Sequence, residues 1–118
     1  MRRLAVFAFT CLLMLGGLRS GHAHALLDRS EPPVGNTVPA PPQELRLWFT
    51  QNLEAAFSTI AVTSPAGQRV DTGKPRVSGN QISVALRAGG NGVYHVKWRM
   101  LSTDTHTTEG SFTFTVGP

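Results

Sequence analysis

The sequence predicts an all-β fold: an antiparallel sandwich of about seven short strands. Two observations carry that expectation. Apolar and polar residues alternate strictly in several runs, the period of half-buried strands. Turn residues then recur between those runs, and no window of ten or more residues carries a helical apolar stripe.

The runs are these. In ELRLWF, Leu45, Leu47 and Phe49 share a face opposite Glu44 and Arg46. In STIAVT, Ile60 and Val62 alternate with Thr59, Ala61 and Thr63. In QISVAL, Ile82, Val84 and Leu86 form the apolar face, and in SFTFTV, Phe112, Phe114 and Val116 do. The longest candidate is GVYHVKWRML. Tyr94, Val96, Trp98 and Met100 face the core there, while His95, Lys97 and Arg99 face water. Trp48 has the outward parity of its strand. LEAAF has room for one helical turn. Turns are expected at Pro32–Asn36, Pro39–Pro42, Ser64–Gly67, Ser78–Asn80 and Gly89–Gly92. The last strand is expected to begin near Glu109.

The N-terminal 23 residues read as a secretory signal. Met1-Arg2-Arg3 is followed by an apolar run from Leu4 to about Leu18, too short for a membrane-spanning helix. Gly21-His22-Ala23 has small residues at its first and third positions, which favours cleavage after Ala23, with Gly21 and Ala25 as alternative points. The mature domain is then 24–118, exported to the periplasm, and His24 is its first residue. Three of the 11 basic residues (Arg2, Arg3, Arg19) leave with the signal, so eight face 7 acidic ones. No nucleic-acid footprint remains. The single cysteine, Cys11, leaves as well, so the mature chain has no disulfide and no thiolate ligand.

The chemistry-bearing residues are His24, Asp104 and His106. The segment reads as a loop or strand end, where functional side chains are often displayed, and in extended backbone Asp104 and His106 project to one side, with Thr105 facing away. Taken alone, they also fit a turn carboxylate bonded to a neighbouring imidazole. An N-terminal histidine offers its α-amine and ring nitrogen as a chelate. With the His106 ring and an Asp104 oxygen this gives three nitrogens and one oxygen, the donor set that suits tetragonal Cu(II). The amine (ordinary pKa about 7.7–8.0) and imidazole (about 6.5) must lose protons to bind, so acid opposes binding. Met1 and Met14 leave with the signal and Met100 has core parity, which disfavours a thioether Cu(I) site. Glu54 reads as a surface charge or a group supporting the metal ligands, and Glu109 as a surface charge.

HALLDRSEPPVGNTV, LRLWFTQNL and VYHVKWRMLSTDTHTTEGSFTF together resemble the CopC family of periplasmic copper-resistance proteins. Tyr94, Val96, Trp98, Arg99, Ser102, Asp104 and His106 match its most specific motif. The resemblance implies an immunoglobulin-like Greek-key β-sandwich. It implies one Cu(II) ion per chain on His24, Asp104 and His106, and a role in copper homeostasis and resistance without enzymatic activity. It also implies an inner-membrane copper transporter of the CopD type as partner; a monomer is expected. The chain departs from the family pattern at Gln51, where many members carry an acid, and at Thr107, where proline is common, and it lacks a methionine-rich segment. Two other functions compete: an oxidative enzyme built on a terminal-histidine copper brace, and a metal-free interaction module.

Overall fold

The computed structural model describes residues 25–118, so the segment expected to be a signal, with Cys11, and His24 lie outside the described residues. Eight strands form two four-stranded sheets. They are β1 (Leu27–Glu31), β2 (Thr37–Val38), β3 (Glu44–Phe49), β4 (Thr59–Thr63), β5 (Asp71–Ser78), β6 (Gln81–Leu86), β7 (Gly92–Leu101) and β8 (Thr107–Val116). The first sheet runs β1-β3-β6-β5 and the second β2-β8-β7-β4. The chain crosses between sheets after β1, β2, β3, β4 and β6, as a Greek-key sandwich requires.

The alternating runs supply the core. Leu45, Leu47, Phe49, Ile60, Val62, Ile82, Val84, Tyr94, Val96, Met100, Phe114 and Val116 are all buried. Tyr94 stacks on Phe114 at 5.0 Å between ring centroids, and Phe49 meets Trp98 edge-on at 5.0 Å. The Tyr94 hydroxyl accepts the Gly89 N–H (3.0 Å) and donates to the Gly90 carbonyl (2.7 Å), so its one polar group is satisfied. Trp98 is only half-buried, less than its parity suggests. Its ring lies across Gly110, where an added Cβ would sit 2.5 Å from the indole.

Three elements depart from the sequence reading. Strand β5 was not expected, because Gly73 and Pro75 break its pattern; a register shift between Thr72 and Arg76 absorbs them. Proline is tolerated because β5 is an edge strand. The two-residue β2 runs parallel to β8, so the sandwich is not wholly antiparallel. The turn before it is held by the Gly35 N–H on the Thr113 carbonyl at 2.8 Å, with Gly35 at φ +74°. Strand β8 begins at Thr107 rather than near Glu109, because Leu101 already pairs with Thr107. The helical turn in LEAAF appears as a 3-10 turn over Ala55–Phe57. Trp48 carries the Arg29 guanidinium over its ring at 3.9 Å, and His95, Lys97, Arg99, Glu54 and Glu109 are exposed.

One carboxylate closes the sandwich along its side. Asp71 of β5 accepts the Val62 N–H of β4 (2.8 Å) and two Arg69 N–H groups, from Nε (2.7 Å) and Nη2 (2.6 Å). Burial pushes its carboxyl up, but the bonds from Arg69 and Val62 and the Arg69 charge outweigh this and hold it below the usual carboxylate value. A depressed folded value stabilises above the unfolded pKa of about 3.9 and is lost as pH falls through the folded one. Asp71→Ala is therefore expected to lower stability at pH 7 by about 1–3 kcal/mol, leaving the Val62 N–H without its acceptor. The deficit should shrink toward pH 3 in thermal melts; a deficit equal at both pH values would contradict this role.

Candidate metal centre

The β7–β8 hairpin turn carries two of the three residues singled out in the sequence. Strand β7 ends at Leu101 and the chain reverses through Ser102–His106. The Ser102 N–H donates to the His106 carbonyl at 3.0 Å, and the Thr105 N–H donates to the Ser102 carbonyl at 2.9 Å. Closing so short a loop puts one residue in the left-handed region, and that residue is Thr105 at φ +72°. A β-branched residue there is strained. Asp104 and His106 thus come together in a loop at the strand end, as expected, but a left-handed Thr105 rather than extended backbone brings them to one side.

Their side chains meet. His106 Nδ1 lies 3.3 Å from Asp104 Oδ1, and the His106 N–H points at the same oxygen at 3.4 Å. The Ser102 hydroxyl also bonds Asp104 Oδ1. The Ser102 hydroxyl is the largest influence on the Asp104 carboxyl; desolvation, next in size, opposes it, and the His106 ring, N–H and charge add to the hydroxyl, so the carboxyl lies below its usual value. It is an ionised donor at neutral pH. Both side chains reach solvent, with 35% and 48% exposure for Asp104 and His106, so an ion has access. Two donors each about 2 Å from one ion and at right angles lie about 2.8 Å apart. A separation of 3.3 Å needs only a small side-chain rotation to meet that.

The described chain begins beside this turn. Ala25 is fully buried in the core, and its carbonyl accepts the Thr108 hydroxyl at 2.6 Å, two residues beyond His106. Leu26 N–H donates to Thr50 Oγ1 and Thr50 N–H returns a bond to the Leu26 carbonyl, both at 2.9 Å. From below, the Thr103 N–H donates to Asn52 (3.0 Å) and Leu53 bridges Ser102. Among the described residues no group of three or more metal-binding side chains gathers; Asp104 and His106 form a pair.

Ser102 and Thr105 were not assigned roles from the sequence. Parity held a signal for Ser102: it continues the inward series Tyr94, Val96, Trp98, Met100, and a polar residue there needs a partner.

A CopC domain family model matches residues 27–117. The chain belongs to the CopC domain family. Among curated relatives, Protein YobA of Escherichia coli K12 is 33% identical over 80% of this chain and 79% of its own. Among solved structures, CopC from Methylosinus trichosporium OB3b superposes with a TM-score of 0.74 at 30% identity, covering 80% of this chain and 95% of that one. PcoC from Escherichia coli, described as a methionine-rich copper resistance protein, gives 0.68 at 32% identity, covering 80% and 99%. This CopC-family chain has 3 methionines in all, and Met100, on β7, is buried in the core.

Proposed function

We propose that this CopC-family protein binds one Cu(II) ion as cargo at the β7–β8 turn and serves copper homeostasis and resistance in the periplasm. Export removes residues 1–23, and the mature chain starts at His24. Its α-amine and ring nitrogen chelate the ion, the His106 ring adds a third nitrogen, and Asp104 adds a carboxylate oxygen. The observation that carries this reading is the 3.3 Å approach of His106 Nδ1 to Asp104 Oδ1, on a turn beside which the described chain begins at Ala25. Nitrogen-rich tetragonal sets select Cu(II) over other first-row divalent ions. An in-plane carboxylate fills a position that oxygen chemistry needs open, so the protein is a binder, not an enzyme. It acts as a monomer and exchanges copper with an inner-membrane transporter of the CopD type.

Copper titration with thermal unfolding tests this. At a free Cu(II) concentration 100 times the dissociation constant the fold should gain about 2.7 kcal/mol. A metal-free module gains nothing. The loaded protein, given a reductant and oxygen, should make no more peroxide than free copper; turnover well above that level would identify an oxidative enzyme instead.

A further inference from the structure

Ser102 uses every polar group it has on the turn. It is fully buried, at 0% exposure, while the two candidate ligand residues beyond it are open to solvent. Its N–H donates to the His106 carbonyl (3.0 Å) and its carbonyl accepts the Thr105 N–H (2.9 Å). Its hydroxyl lies against Asp104 Oδ1 and, at 3.1 Å, against the His106 carbonyl. A hydroxyl has one proton. The carboxylate is the stronger acceptor, so the proton goes to Asp104 and the contact with His106 is the weaker one. The backbone bonds would close the hairpin whatever side chain stood there. The hydroxyl is what the side chain adds, and it is aimed at Asp104.

An exposed aspartate has rotamer freedom that a metal site must remove before it binds well. Outer hydrogen bonds to ligating groups do this, and losing one typically weakens metal binding 10–100-fold. Resting on the copper reading above, we infer that Ser102 is a positioning residue. Its buried hydroxyl fixes the orientation in which the Asp104 carboxylate is offered to Cu(II) beside the His106 ring. The strained φ of Thr105 serves the same end, since it is the turn's way of bringing Asp104 and His106 onto one side of Ser102.

A double-mutant cycle on the full mature protein tests this, with Cu(II) affinity and the EPR spectrum as readouts. Ser102→Ala keeps both backbone bonds and should leave the apo melting temperature within a few degrees. It should weaken Cu(II) binding about 10–100-fold and change the copper hyperfine splitting. Ser102→Thr, which keeps the hydroxyl, should restore both. In an Asp104→Ala background Ser102→Ala should cost nothing further, because Ser102 acts through Asp104. If Ser102→Ala fails to fold, Ser102→Cys, which keeps the volume but donates only weakly, takes its place in the cycle. An unchanged affinity and spectrum in Ser102→Ala, or an equal loss in both backgrounds, would overturn the inference. Failure of the copper reading is a separate result: there Asp104→Ala and His106→Ala would bind Cu(II) as well as the unaltered protein does.

Discussion

Cu(II) binding by His106→Ala is expected to be weaker by roughly a hundredfold or more, at or beyond the upper end of what outer-sphere changes cost. The ring supplies one of three nitrogens in the proposed plane, and water is the only replacement. The apo fold should be unaffected. The side chain is 48% exposed, and the bonds that close the turn belong to the His106 backbone, whose carbonyl takes the Ser102 N–H. The ring's contact with Asp104 is an exposed pair, screened by water and of little weight for the fold. Competition titration against a chelator of known affinity, beside a thermal melt, separates the two effects. A large drop in melting temperature without loss of affinity would mean that the ring is structural.

Much of the sandwich was legible because period-two alternation reports burial directly. Leu45-Leu47-Phe49, Ile60-Val62 and Ile82-Val84-Leu86 sit in the core as their parity requires. Strand β5 was hidden for the reason that it survives: edge strands accept Gly73, Lys74 and Pro75, which a central strand would reject. Strand β2 is two residues long, too short for any periodicity to register.

At the site, residue types and spacing picked out Asp104 and His106, while the way they meet was not readable. Extended backbone predicts that i and i+2 project together; the structure achieves the approach through a left-handed Thr105, and no propensity assigns threonine to that region. Ser102 escaped notice because a short polar residue near a turn looks like solvent-facing loop. Carrying the inward parity of Tyr94, Val96, Trp98 and Met100 one step further would have found it, and the pairing of Leu101 with Thr107 shows why: Ser102 lies inside the last rung.

The N-terminal half of the site makes the second large expectation. Acetylating the α-amine of His24 converts it into an amide and adds no new amine beside it, so it no longer binds as an amine. The ring remains, but the chelate is lost and so is one nitrogen. Affinity should fall roughly a hundredfold or more, since two ligands on one residue bind with little added ordering cost and a single flexible one does not. Ala25 would still be held by Thr108, so the fold should melt as before. EPR spectra of Cu(II) on the chain beginning at His24 and on the same chain with that amine acetylated are the direct comparison. Three coupled nitrogens in the first and fewer in the second, with the weaker binding, are the predicted result. Identical spectra and identical affinities would contradict a site built on the amine of His24.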